Sequence, residues 1–219
     1  MLDGLDSMLF PDNCEVVEMP LHNQYVYMIQ KNGSSSLRNQ RNKDNLGLFI
    51  NEQIQQLDFV DVYIRNGKER YVSGVNTYLQ HLQRDYPELD QSTAFWFVKK
   101  YNFLNRHYLP QFHWLINLSR YLSPDTKIRL RDFRKFDLIT DYKNSAGIIS
   151  YENNFKEKLL DNHPEMELWF YVDQILLDLA GSEMTWQEII IHYQTTHQKT
   201  FDIMCYRFNQ VANSVLSKA

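Results

Sequence analysis

The feature that most constrains this chain is a strand followed by a helix, occurring twice near its N-terminal end. Tyr25 to Gln30 reads as a short buried strand. Phe59 to Arg65 (FVDVYIR), rich in β-branched and aromatic residues, reads as a second. Helical spacing follows each of them. Leu37 to Arg41 continues the first, and Val72, Val75, Leu79 and Leu82 carry the second through 66–82. A strand, a helical crossover and a second strand make a βαβ unit with parallel strands and a right-handed connection. Both strand-to-helix turns then lie on one edge of one sheet, where open α/β sheets bind ligands.

The first of these turns has the chemistry of an anion site. It reads Lys31-Asn32-Gly33-Ser34-Ser35-Ser36-Leu37. Gly33 lets the main chain approach a ligand closely, and a helix beginning near Ser35 presents amide groups without intrahelical partners at the positive end of its dipole. Lys31 adds a full charge, and Ser34, Ser35 and Ser36 add hydroxyl donors. A glycine-serine run is also an ordinary surface turn, so the reading depends on what accompanies it.

The rest of the chain extends this plan. Residues 1–20 read as an irregular lead-in around Pro11 and Pro20, and Leu48 to Leu57 as a second helical piece with Phe49, Ile50 and Ile54 on one side. Helices are predicted over Ser92 to Tyr101, Pro110 to Tyr121 and Glu165 to Ala180, the last with Gly181 as its C-cap. Lys127 to Phe133 alternates as a strand does, and Asp137 to Asn154 fits neither pattern. Thr185 and Glu188 match a capping box that opens a final helical region, with a break expected at Thr195-Thr196-His197. The expected architecture is α/β: residues 1–219 as a single domain, a short parallel sheet flanked by helices, and a largely helical C-terminal half.

Composition narrows the function. A net charge of −4 argues against a general nucleic-acid binder, and no apolar run is long enough to cross a bilayer. The two cysteines, Cys14 and Cys205, are far apart and give no disulfide framework, which points to a reducing, cytoplasmic compartment. His113, His192 and His197 lack metal-ligand partners at ligand spacing, so no metal is expected. Arg38, Arg41 and Lys43 read as a solvated basic face.

The second strand ends in Arg65-Asn66-Gly67-Lys68-Glu69-Arg70-Tyr71-Val72-Ser73. With this stretch in place, the chain resembles the sulfotransferases that use 3′-phosphoadenosine 5′-phosphosulfate. They carry a first strand followed by Lys-x-Gly-(Ser/Thr)-(Ser/Thr)-(Ser/Thr). A later strand ends in Arg-(Asp/Asn)-Pro-x-(Glu/Asp)-Arg-x-x-Ser. The departure is Gly67, where the family usually has proline. His107-Tyr-Leu-Pro110-Gln111 is similar to a His-aromatic-x-Pro-Gln segment of the carbohydrate-acting branch. The resemblance covers roughly residues 25–135.

The resemblance implies a P-loop-like sulfotransferase fold, with the phosphosulfate donor as co-substrate and a carbohydrate or small-molecule hydroxyl as acceptor. It implies that Lys31, Asn32, Gly33, Ser34, Ser35 and Ser36 hold the 5′-phosphosulfate, and that Arg65 and Ser73 hold the 3′-phosphate. Lys31 is then the group that stabilises the leaving oxygen. The general base is His107, on its near-neutral titration, or Glu52, on its location. Arg70 is read as structural, bracing the loop together with Glu69. The alternatives are a non-catalytic binding module that keeps the fold and, ranked lower, a nucleotide phosphotransferase. The latter lacks its Walker pattern here, because the lysine precedes the glycine.

Overall fold

The computed structural model of the protein describes residues 14–30, 32, 34–90, 92–93, 109–136 and 166–216. The described strands are β1 (Glu15–Met19), β2 (Gln24–Tyr27), β3 (Leu48–Ile50), β4 (Phe59–Ile64), β5 (Lys127–Asp132) and β6 (Glu183–Met184). They form one six-stranded sheet in the order β3-β1-β2-β4-β5-β6. β2 runs parallel to β4, with Val26 opposite Asp61, and β4 runs parallel to β5 from Phe59 opposite Lys127 to Ile64 opposite Asp132. The remaining pairs are antiparallel.

The sheet is therefore mixed rather than purely parallel. The lead-in expected to be irregular supplies β1, whose five residues lie too close to Pro20 to stand out as a strand. A tight turn over Pro20–His22 then returns the chain as β2, with Asn23 in the left-handed conformation (φ 50°) that asparagine tolerates. The helix expected over Leu48 to Leu57 is corrected as well. Leu48–Ile50 pairs with β1 as an edge strand, and Asn51, again left-handed, breaks the run. Asn51 donates its N–H to Cys14 O and accepts the Cys14 N–H on Oδ1, both at 3.0–3.1 Å. A 3-10 helix, Asn51–Gln56, follows, and of its residues Ile54 is buried.

The described helices are α1 (Ser34–Asp44), α2 (Gly67–Asp85), α3 (Gln111–Ser119), α4 (Glu167–Asp178), α5 (Trp186–Thr196) and α6 (Gln198–Leu216). The Thr185 capping box forms, with Glu188 N–H donating to Thr185 Oγ1 at 3.2 Å and Thr185 N–H to Glu188 Oε2 at 2.6 Å. His197 separates α5 from α6, as the sequence predicts. Leu179 rather than Gly181 is the cap of α4. Gly181, at φ 103°, donates its N–H to Leu130 O at 2.7 Å and turns the chain onto β6. The helix expected over Ser92 to Tyr101 lies, beyond Thr93, outside the described residues, as does Asp137 to Asn154. No described helix is long and apolar enough to cross a membrane.

The two faces of the sheet are covered differently, because side chains alternate along each strand. Val60, Val62, Ile64, Ile128 and Leu130 face the larger core, built with Tyr71 and Val75 of α2, Phe112 and Leu115 of α3, Val172 and Leu176 of α4, Tyr193 of α5 and Met204 of α6. Val17, Met19, Val26, Met28 and Tyr63 face a smaller core closed by Leu37 of α1 and by Phe136. On the face of Tyr63, β4 also carries Asp61, fully buried and bonded to Arg129 and Arg131 of β5. This layering leaves the C-terminal ends of β2, β4 and β5 on one edge, between α1 and the α2–α4 layer.

Candidate functional site

At that edge β2 gives way to Met28, Ile29 and Gln30, then to a turn in which Asn32 N–H donates to Ile29 O at 3.1 Å. Asn32 is buried. Its Nδ2 donates to Tyr63 O at 2.7 Å and to Gln111 Oε1 at 2.6 Å, which ties the turn to the end of β4. Ser34 is buried at the first position of α1, Ser35 is exposed, and Leu37 anchors the helix in the smaller core. Lys31, Gly33, the Ser36 side chain and His107 lie outside the described residues.

Arg65 directly follows β4 and is half-buried. Its main chain is held by one side chain: Gln111 Oε1 accepts the Arg65 N–H at 2.8 Å, and Gln111 Nε2 donates to Arg65 O at 2.7 Å. The Arg65 guanidinium lies 5.3 Å from the centre of the Phe133 ring, with Nε 3.6 Å from Glu69 Oε2. Asn66 caps α2 by accepting the Glu69 N–H at 3.2 Å. Ser73, half-buried, is seven residues into α2; its carbonyl accepts from Thr77 Oγ1 at 3.2 Å.

An open cleft of about 620 Å³ starts from Arg65. Arg65, Asn66 and Glu69 form one wall, Asp132, Phe133 and Arg134 the second, and Gln174 and Leu177 of α4 the third. Asp132 caps the short 3-10 turn after β5 and grips the exposed Arg134 through Nε at 3.0–3.1 Å and Nη2 at 2.6 Å. The Arg134 guanidinium holds the Asp132 carboxyl below its usual range. Two arginines and two carboxylates thus share the cleft, so its formal charge is balanced.

Behind these walls lies a buried layer. Arg70 is 1% exposed, donates from Nε to Gln30 O at 3.1 Å, and bonds Leu109 O through Nη1. It braces the end of β2 as expected of a structural residue, but not with Glu69, which faces Arg65. Burial draws the Arg70 guanidinium down to about 10, with the Asp173 charge opposing. Asp173 of α4 accepts the Gln111 N–H at 2.9 and 3.1 Å and the Phe112 N–H at 3.3 Å, capping α3 from across the fold. Burial pushes its carboxyl up to about 6, against Arg70 and these N–H groups. Asn32 Oδ1 and Arg70 Nη2 are buried with no hydrogen-bond partner among the described residues.

The fold therefore brings Asn32, Ser34 and Arg65 to one edge, and Gln111 joins the first to the third. Glu52 is exposed in the 3-10 helix that leaves β3, and β1 and β2 lie between β3 and β4. Sequence reasoning missed the parts played by Gln111, Asp173 and the Phe133–Arg134 pair. Asp173 had a signal: it sits beside Val172 within the apolar stripe of α4, where a carboxylate requires buried partners. No family model matches the chain, and neither does any curated protein or solved structure.

Proposed function

We propose that this protein is a sulfotransferase of the P-loop-like fold, moving a sulfonate group from 3′-phosphoadenosine 5′-phosphosulfate to a hydroxyl of a carbohydrate or small-molecule acceptor. The observation that carries the reading is the position of Arg65. It lies at the C-terminal edge of parallel strands, bordering an open cleft and joined through one side chain to the turn before α1. In this reading the turn and the first amides of α1 take the 5′-phosphosulfate, Arg65 and Ser73 take the 3′-phosphate, and the Phe133 wall faces the nucleoside.

The acceptor oxygen attacks sulfur in line. The bond from sulfur to the 5′-phosphate oxygen breaks, that oxygen leaves with the electron pair, and the acceptor proton passes to a base. Lys31 stabilises the leaving oxygen, and His107 or Glu52 takes the proton.

A second reading is a binding module that keeps the fold without the chemistry. Each cleft arginine already faces a carboxylate, Arg65 with Glu69 and Arg134 with Asp132, which favours this reading. Calorimetric titration with 3′-phosphoadenosine 5′-phosphate, repeated on Arg65→Ala, separates the two. Micromolar binding that Arg65→Ala abolishes supports the donor site. Absence of binding at millimolar ligand removes the transferase reading.

A further inference from the structure

We propose that Gln111 is a positioning residue that sets the spacing between the two anion-binding segments, the Asn32 turn and Arg65. The proposal rests on the donor-binding reading for its ligand, but its geometry is independent of it. Gln111 is completely buried, and its side-chain amide bonds both segments. Oε1 accepts from Asn32 Nδ2 at 2.6 Å and from Arg65 N at 2.8 Å, while Nε2 donates to Arg65 O at 2.7 Å.

Reading both main-chain groups of one residue is what a neighbouring strand does, so the amide extends the pairing of β4 one residue past the sheet. Because a single oxygen serves both segments, Asn32 Nδ2 and Arg65 N stay within two hydrogen-bond lengths of each other. Gln111 itself is pinned, since Asp173 holds its N–H and that of Phe112. Neither segment can shift along the strand edge without breaking a bond to a buried group. A ligand with two anionic ends needs this fixed distance; a ligand with one does not.

The test compares three ligands on wild type and Gln111→Ala: 3′-phosphoadenosine 5′-phosphate, adenosine 3′-monophosphate and pyrophosphate. Loss of spacing is expected to weaken the bisphosphate about 30-fold or more and each single-ended ligand less than about 3-fold. An equal loss for all three, or none for the bisphosphate, overturns the proposal and leaves the donor site standing. Gln111→Glu is isosteric and keeps both acceptor contacts, but it turns an oxygen toward Arg65 O. Its bisphosphate affinity, relative to wild type at each pH, is expected to recover as the new carboxyl protonates and donates again. A flat ratio overturns the proposal.

If wild type binds none of the ligands, the donor reading fails and amide hydrogen exchange decides alone. In Gln111→Ala the amides of Asn32 and Arg65 are expected to lose protection together while that of Val62 keeps its own. Loss confined to Arg65 overturns the coupling.

Discussion

A Cβ atom built on Gly67 would lie 3.0 Å from the Cβ of Asp173 and 3.3 Å from the Cα of Phe170. Helix α4 crosses the start of α2 so closely that a side chain at this position would need its neighbours to shift by a few tenths of an ångström. The position is the first of α2, where proline is otherwise well suited. Packing against α4 thus favours glycine at this position. Gly67→Ala and Gly67→Pro should each destabilise the protein by about 1–3 kcal/mol, read as a fall in the thermal midpoint. Pairing Gly67→Ala with Asp173→Gly, which removes the Cβ that the new methyl meets, should recover part of that loss. Full additivity of the two substitutions would place the strain elsewhere.

Two buried groups give the stability opposite dependences on pH. Asp173 has its pKa raised from 3.8 to about 6, so its contribution is complete below about pH 4 and is lost as pH rises through 6. His113 is held down from 6.5 to about 4 by burial and by the Arg70 charge, so its contribution is complete above about pH 6.5 and is lost as pH falls through 4. Each effect is worth about 3 kcal/mol at most. They offset each other between pH 4 and 6, so urea denaturation should show a nearly level wild-type curve there. Asp173→Asn should give a curve that rises with pH, and His113→Gln one that falls. Parallel curves for the two variants would contradict the assignment.

The cleft charges make a graded prediction about the donor. Arg65→Ala should mainly weaken binding of 3′-phosphoadenosine 5′-phosphate, and Lys31→Ala should reduce turnover more than binding. Glu69 lies 3.6 Å from Arg65 with 60% of its side chain exposed, so Glu69→Gln should tighten the bisphosphate only modestly. About two- to five-fold is expected, shrinking with added salt. Calorimetry at two ionic strengths measures this. Weaker binding in Glu69→Gln would mean that the carboxylate positions Arg65 rather than competing for it.

On the opposite face, Asp61 is fully buried and holds Arg129 and Arg131 through its two oxygens. It also accepts the Tyr25 N–H at 3.3 Å. Asp61→Ala removes the buried anion that both arginines share, leaving Arg129 with Asn23 O at 3.0 Å and Arg131 with Glu183 at 4.0 Å, and should cost about 3 kcal/mol. Arg131→Gln removes a partner that is one-third exposed and should cost about 1 kcal/mol or less. Chemical denaturation of both variants tests this; similar costs would show that the cluster does not depend on its carboxylate.

The strand pair at the centre was legible because β4 is a compact β-branched run and because each parallel strand leads directly into a helix. Lys127 to Asp132 was legible from alternation alone. What escaped was set by contacts distant in sequence. Leu48 to Leu57 has helical apolar spacing at Phe49, Ile50 and Ile54, yet pairing with β1 and the bonds between Asn51 and Cys14 decide the conformation of Leu48–Ile50. β1 itself is five residues long and acquires meaning only from its two neighbours. At the site, Arg65 and the serine turn were visible as motifs. Gln111 was visible only as a letter in a segment, because its role is to reach Asn32 and Arg65, which lie 79 and 46 residues away.

The strand order has a consequence for synthesis. β1 to β4 all lie between residues 15 and 64, so these four strands leave the ribosome before β5 and β6. Their growing side is β4, whose parallel partner β5 is not translated until residue 132. During that interval Val60, Val62 and Ile64 border an unpaired apolar edge, the kind that recruits another chain. A nascent chain stalled before Lys127 would carry that edge indefinitely, and its fate would depend on how quickly chaperones reach it.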